Sequence, residues 1–322
     1  MKKLGLALGA VVLLGLVGLI WFAGGWYGSA DVEEDTNFIV PSGSTLTAVA
    51  RQLDDEGLIE SSDSFLLRAR ILGSGDPIQA GEFLIPAGAS PSQILDTFQH
   101  GQVIRRFVTV PEGLPSILVW ERLMAEDLLT GKVEVPEEGS VLPDTYDFER
   151  GESRAEVLAR MQEAMDSYLA EAWEKRTNKA VVKTPEEAII LASIVEKETA
   201  VPEERRMVAG ALSNRVRIGM MLGADATTIY PITKGKPLGR RIRVSELRDK
   251  NPYNTRAIAG LPVGPITNPG RESIAAVLDP AETKALYYVA DGSGGHVFAE
   301  TLEEHNRNAA AWRKLRRERG EM

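Results

Sequence analysis

The chain contains no cysteine. That excludes disulfides, thiolate metal sites and a cysteine nucleophile. It does not fix the compartment, because a chain long enough to bury a real core holds together without covalent staples. Histidine is scarce as well, at three of 322 residues. His296 and His305 have no neighbours at ligand spacing, so neither a metal nor any other cofactor is expected. Clustered positive charge is also missing: the formal net charge is −9. Arg240, Arg241 and Arg243 form a short basic cluster in the body and read as a solvated loop, so a nucleic-acid partner is not expected. There is no Ser-x-x-Lys, no nucleophile elbow, no internal repeat and no low-complexity segment. Gly292, Gly294 and Gly295 precede no helix start and read as a hairpin turn, not a phosphate loop.

What is present begins with a long apolar run. Residues 4–23 are all apolar or glycine, and a helix of about 20 such residues spans the roughly 30 Å hydrocarbon layer of a membrane. Lys2 and Lys3 precede the run; Asp31, Glu33, Glu34 and Asp35 follow it. Positive residues stay in the cytoplasm, which predicts a single-pass anchor with residues 33–322 outside. Trp21, Phe22, Trp26 and Tyr27 are expected to form an aromatic belt at the outer interface. A cleaved signal peptide ending near Gly28-Ser29-Ala30 is the alternative, and it places the same residues outside.

Periodicity and turn signals divide the remainder. An acidic linker, 31–37, leads to a strand at 38–40, helices at 45–56 and 62–72, and a strand at 81–85. This βααβ pattern is the outline of a small LysM-like module, which with a following helix at 91–99 accounts for 38–106. A strand at 103–110 opens a connecting region, 107–150. From 151 to 322 the pattern is mostly helical. Ser153-Arg154-Ala155-Glu156 is a capping box, followed by Val157, Met161, Met165 and Leu169 at helical spacing, with the methionines as core filler. Thr184-Pro185-Glu186-Glu187 opens a nearly apolar, hence buried, helix ending at about Glu198. A third helix covers 202–218. Residues 221–270 are rich in Gly and Pro with little periodicity, as expected of binding loops. Helix 270–278, strands 285–290 and 296–298, and a helix opened by Thr301-Leu302-Glu303-Glu304 complete the chain. The fold class expected is α+β: one N-terminal transmembrane helix in residues 1–30, the small module, and a mixed α/β catalytic domain with a mostly helical core.

Two carboxylates, Glu196 and Glu198, close the apolar helix. At about 100° per residue they lie about 200° apart around its axis and cannot share a face. Glu198 stands in line with Ile194 and Leu191, and Glu196 with Ala192 and Ile189, also apolar, so spacing tilts toward Glu198 and leaves Glu196 open. A carboxyl held against apolar neighbours is disfavoured in its charged form, which moves its pKa toward the range where it donates and recovers a proton. Glycosidic bond cleavage requires that property, because the leaving oxygen must be protonated. The plain alternative is a solvated pair at a fraying helix end, bridged by Lys197, Arg205 or Arg206.

A set of ordered motifs then invites comparison. Leu191 to Thr199 reads LASIVEKET; Asn214-Arg215, Gly219-Met220, Asp225 with Thr227-Thr228-Ile229-Tyr230, Tyr253-Asn254-Thr255, Gly260-Leu261-Pro262 and Gly264-Pro265-Ile266 follow. Asn268-Pro269-Gly270, Tyr288-Val289-Ala290-Asp291-Gly292, Gly295-His296 with Phe298, and His305-Asn306 come next, with Glu138-Gly139 and Leu142-Pro143-Asp144-Thr145-Tyr146 upstream. Together they resemble the endolytic murein transglycosylase family, MltG or YceG-like, over nearly the whole chain. The resemblance implies a membrane enzyme that cuts the bond between N-acetylmuramic acid and N-acetylglucosamine in nascent peptidoglycan strands and leaves a 1,6-anhydromuramyl end. It also implies a LysM-like module and cell-wall synthases as partners. It maps the catalytic glutamate onto Glu198, with Glu196 as runner-up. Asp225, Thr228, Tyr230, Tyr253, Asn254 and Thr255 become candidates to hold sugars or to brace loops. Ala226, where a proline is usual, and Gly223-Ala224, in place of a more polar pair, depart from the pattern and bear on loop contacts. A lysozyme-like hydrolase and an inert glycan-binding scaffold are the rival functions.

Overall fold

The computed structural model describes residues 2–320, with side chains from Leu8 onward. The side chains of Lys2 and Lys3, on which the expected orientation rests, lie outside the described residues. The polypeptide forms two compact units, 1–106 with 148–150 and 107–147 with 151–322. Helices dominate, with three two-stranded sheets among the described residues, an α+β arrangement.

The first unit opens with α1 (Lys2–Tyr27). Leu8, Leu14 and Ile20 are 69–71% exposed, and Leu8–Tyr27 is long and apolar enough to cross a membrane. The expected aromatic belt is corrected at one position. Trp21 and Tyr27 are exposed, but Trp26 is 1% exposed, its ring 5.6 Å from that of Phe65. It belongs to the unit's core with Phe38, Phe83 and Phe98. The reason is tertiary: the strands and helices that follow in this unit supply the apolar side chains that enclose the ring.

Strand β1 (Thr36–Val40) is followed by α2 (Leu46–Asp55), α3 (Ser62–Leu72), β2 (Gly81–Ile85) and α4 (Pro91–His100). β1 and β2 pair antiparallel with Phe38 opposite Phe83. Each helix starts where a hydroxyl replaces a missing backbone acceptor: Thr45, Ser61 and Ser90 take the free amides of Ala48, Ser64 and Gln93, each such cap contributing about 1 kcal/mol. Glu82 is buried on β2 and offsets its desolvation through Arg106 at 2.8 Å and Arg150 at 2.9 Å. The Arg106 hydrogen bond foremost holds its carboxyl below the usual range.

Strand β3 (Arg105–Thr109) pairs with β4 (Thr145–Glu149), and α5 (Ser116–Ala125) lies between them in sequence. The second unit then runs through α6 (Arg154–Glu174), α7 (Pro185–Glu198), a 3-10 turn (Pro202–Glu204), α8 (Arg205–Arg217), α9 (Asp225–Thr233), α10 (Val244–Arg248), α11 (Arg271–Leu278), β5 (Tyr287–Ala290), β6 (His296–Ala299) and α12 (Leu302–Glu318). The capping boxes at Ser153 and Thr301 are formed. α7 is the centre: Leu191, Ala192, Ile194 and Val195 are fully buried, against a core that includes Val208, Leu212, Ile274 and Val277. Met161 and Met165 are buried in the same unit.

Two stretches are more ordered than their sequence suggests. Residues 107–150, expected as connection, contain α5 and β4. Residues 221–270, expected as irregular loop, contain α9 and α10. α9 is nine residues long, holds Pro231, and has no side-chain cap. Such a segment has poor intrinsic helix propensity; tertiary hydrogen bonds hold it, Thr228 Oγ1 donating to Asn254 Oδ1 at 2.8 Å.

Candidate active site

The buried start of α7 sets the position of its last turn. Thr184 caps it, accepting from the Glu187 amide at 3.2 Å, and Ser193, fully buried, accepts the Ile266 amide at 3.1 Å. Gly139 packs against the same helix with φ +82°; a Cβ there would meet Ile189 and Pro265 at 2.7 Å. With the helix fixed, the two terminal carboxylates point to different neighbours.

Glu198, the last helical residue, turns toward the β5–β6 hairpin. Its Oε2 accepts from the Tyr288 hydroxyl at 2.8 Å. The Tyr288 ring is braced by His296, nearly perpendicular at 5.6 Å, and by Phe298 at 5.9 Å. Behind His296 stands Glu204, which accepts the His296 amide at 2.7 Å and meets Nδ1 at 2.7 Å. Arg215 of α8 ties the hairpin to the preceding loop, donating to Leu286 O at 2.6 Å and Leu222 O at 2.5 Å. Glu198 is half-buried. Burial pushes that carboxyl above the usual glutamate range, and the negative charge of Asp225 adds to this; the Tyr288 bond and the charges of Arg215 and His296 pull the other way. Tyr288 is driven well above the ordinary tyrosine range by burial and by Glu198. It therefore stays a neutral donor across the working pH range.

Glu196 points elsewhere, as the 100° step requires. Its Oε2 accepts the Gly270 amide at 3.0 Å, at the N-terminus of α11. Glu112 crowds the same place: a Cβ on Gly270 would lie 2.0 Å from its Oε1. Burial and the nearby charge of Glu196 push the Glu112 carboxyl up. Arg205 pairs with Glu112 and Glu272, Arg206 with Asp279, and Lys197 donates to Gly113 O. None of the three cations is an ion-pair partner of Glu196 or Glu198 among the described residues.

The six candidate binding residues separate into three groups. Asp225 is exposed at the start of α9, pairs with Arg256, and is close enough to Glu198 to act on its titration. Tyr230 and Tyr253 stack 4.9 Å apart, tilted at 45°; Tyr253 is half-buried, and Tyr230 hydrogen-bonds to Glu138. Thr228, Asn254 and Thr255 are buried and engaged inside the loop. Asn254 donates to the carbonyls of Glu246, Leu247 and Asp249. Thr255 and Thr227 share a hydrogen bond at 2.8 Å. In this structure those three brace the loop that carries Asp225 and Tyr253.

Sequence reasoning assigned no role to Tyr288, Arg215, Glu138 or Glu112. Tyr288 lay inside a quoted motif, but its pairing with Glu198 joins residues 90 positions apart. Glu138 is desolvated, with its carboxyl pushed up, and accepts from the Ser116 amide at 2.8 Å. It too stood in a family motif, Glu138-Gly139, but nothing local showed that folding would desolvate it. His305, a metal candidate dismissed on spacing, stacks on Tyr287 at 5.3 Å. The Gly292–Gly295 segment is a hairpin turn closed by the Asp291 amide donating to Gly295 O at 3.0 Å.

Comparison with known families matches residues 38–311 to the YceG-like family. A Bacillus subtilis (strain 168) protein named endolytic murein transglycosylase is 27% identical over 310 residues, covering 86% of this chain and 84% of that protein. A Streptococcus pneumoniae (strain D39) protein of the same name is 26% identical over 320 residues, covering 84% of this chain; the chain spans 57% of that relative's length. The crystal structure of a yceG-like protein, lmo1499, from Listeria monocytogenes matches with a TM-score of 0.54 at 24% identity, covering 85% of this chain and 98% of that one. That last likeness is one of fold.

Proposed function

From the premise that this chain belongs to the YceG-like family, we propose that it is an endolytic lytic transglycosylase acting on nascent peptidoglycan, with Glu198 as its acid and base. The observation that carries the proposal is the desolvated Glu198 carboxyl under the Tyr288 hydroxyl, in a chain whose relatives bear the name endolytic murein transglycosylase. Protonated Glu198 gives its proton to the oxygen linking N-acetylmuramic acid to N-acetylglucosamine, and the bond from that oxygen to the anomeric carbon breaks. The 2-acetamido group stabilises the sugar cation. The C6 hydroxyl then closes onto the anomeric carbon and returns its proton to Glu198, so no water is consumed and a 1,6-anhydro end remains. One carboxylate suffices, whereas hydrolysis uses two. Asp225, Tyr230 and Tyr253 are the residues assigned to sugar contacts, and Thr228, Asn254 and Thr255 support them from within the loop.

In the same reading α1 is a single-pass anchor with the catalytic unit outside the cytoplasm, where the substrate is. The βααβ arrangement of the first unit supports its assignment as LysM-like, and cell-wall synthases are the partners proposed. Incubating the full chain in detergent with purified glycan strands and identifying the new termini tests the function. Anhydro ends are expected. Reducing ends would replace the lyase by a hydrolase, and uncut strands by a scaffold.

A further inference from the structure

Arg68, on α3 of the first unit, is 7% exposed. A guanidinium at that depth ordinarily has a carboxylate beside it, because a buried charge without a partner is costly. Arg68 has no ion pair among the described residues, and its Nε meets no hydrogen-bond acceptor. It lies instead against aromatic rings, with Cζ 5.7 Å from the ring centre of Trp21 and 5.7 Å from that of Phe22. The guanidinium lies directly on α1 at Gly25, where a Cβ would come within 2.4 Å of Nη2 and displace it. Arg68 borders a cavity of about 250 Å³ whose polar lining includes Ser29, Asp31, Glu60 and Ser61. Buried Trp26 fixes the end of α1 to the unit that holds this cavity.

We propose that the cavity binds the headgroup of a zwitterionic phospholipid, a phosphoethanolamine, with the phosphate on Arg68 and the ammonium toward Asp31 and Glu60. The proposal rests on α1 being a membrane anchor. Trp21 and Phe22 then mark the end of the hydrocarbon layer, which puts Arg68 at the depth of the lipid phosphates. A guanidinium binds phosphate through two parallel hydrogen bonds, and one with no carboxylate of its own keeps those donors for a ligand. The two carboxylates select the headgroup. A purely anionic lipid would face them as like charges, whereas an ammonium complements them.

The test uses the full chain in a phosphate-free detergent, titrated calorimetrically with dihexanoylphosphatidylethanolamine, dihexanoylphosphatidylglycerol and free O-phosphoethanolamine. Saturable binding of the ethanolamine lipid is expected, with the glycerol lipid and the free headgroup weaker. Arg68→Met should weaken the ethanolamine lipid about tenfold, the order expected for loss of one bidentate charge-assisted contact. Asp31→Asn, at an exposed position that leaves the core untouched, should narrow the gap between the two lipids. No saturable lipid binding, equal affinity for both lipids in the unaltered chain, or unchanged affinity in Arg68→Met would overturn the proposal. A free headgroup binding as tightly as the lipid would make the ligand soluble phosphoethanolamine and refute the lipid. Co-flotation of the chain with vesicles tests the anchor separately, and Arg68→Met should still float, so failure of the anchor is distinguishable from failure of the site.

Discussion

Replacing Tyr288 by Phe removes one hydroxyl and leaves the ring that packs against His296 and Phe298. The lost group is the donor to Glu198 at 2.8 Å. That bond favours the charged carboxylate, so its removal raises the pH at which Glu198 gives up its proton. A hydrogen bond to a charged group contributes about 1.5–3 kcal/mol and one to a neutral group about 1 kcal/mol. The difference, roughly 1.4 kcal/mol, corresponds to about one pH unit. The first step needs Glu198 protonated, so the alkaline limb of kcat/KM should move about one unit to higher pH. Tyr288 lies well above the ordinary tyrosine range, so its own titration does not produce that limb. The assay is release of anhydro-ended fragments from purified glycan strands across pH, compared with the unaltered chain. An unmoved limb, or one displaced toward acid, refutes the assignment of Glu198 as the acid and Tyr288 as the group that tunes it.

Glu198→Gln should lower turnover by about 10²–10⁴-fold, the usual contribution of a general acid. Its fold should be kept. Because the folded carboxyl is raised above its unfolded value, the native state binds more protons than the unfolded one, and stability falls as pH rises through that window. Denaturant titrations should therefore find Glu198→Gln at least as stable as the parent at pH 7, with the gap closing toward acid. Glu196→Ala removes the carboxylate that accepts the Gly270 amide at the start of α11; a stability loss of about 1 kcal/mol is expected, with turnover of the folded enzyme near normal. Full loss of turnover in a folded Glu196→Ala variant would move the acid there. Asn254→Ala strips the donors from three loop carbonyls and should cost about 2–4 kcal/mol, read as a lower denaturation midpoint. Trp26→Ala empties a fully buried site in the first unit and should destabilise that unit by about 3–5 kcal/mol, which limited proteolysis of the full chain would detect.

Local signals in the sequence settled most of the secondary structure. The bounds of α3 and α7 match their caps and stops because each is written within a few residues: a hydroxyl before the first turn, a glycine or an extended threonine after the last. The opposite orientation of Glu196 and Glu198 was also legible, since it follows from helix geometry alone. The length and apolarity of α1 needed nothing beyond composition.

Tertiary structure decided what depends on residues far apart in the chain. α9 forms although Pro231 and three threonines disfavour it, because Asn254 and Thr255 hold its first turn. Trp26 leaves the expected aromatic belt for a core assembled from β1, α3 and α4, a destination that no window around residue 26 contains. Which of two glutamates is desolvated beside a neutral tyrosine, and which caps α11, was fixed only when Tyr288 and Gly270 were brought to them across 90 and 74 positions. Helix propensity and periodicity act over a few residues, whereas the environment that shifts a carboxyl's proton affinity is made by side chains that only the folded packing assembles.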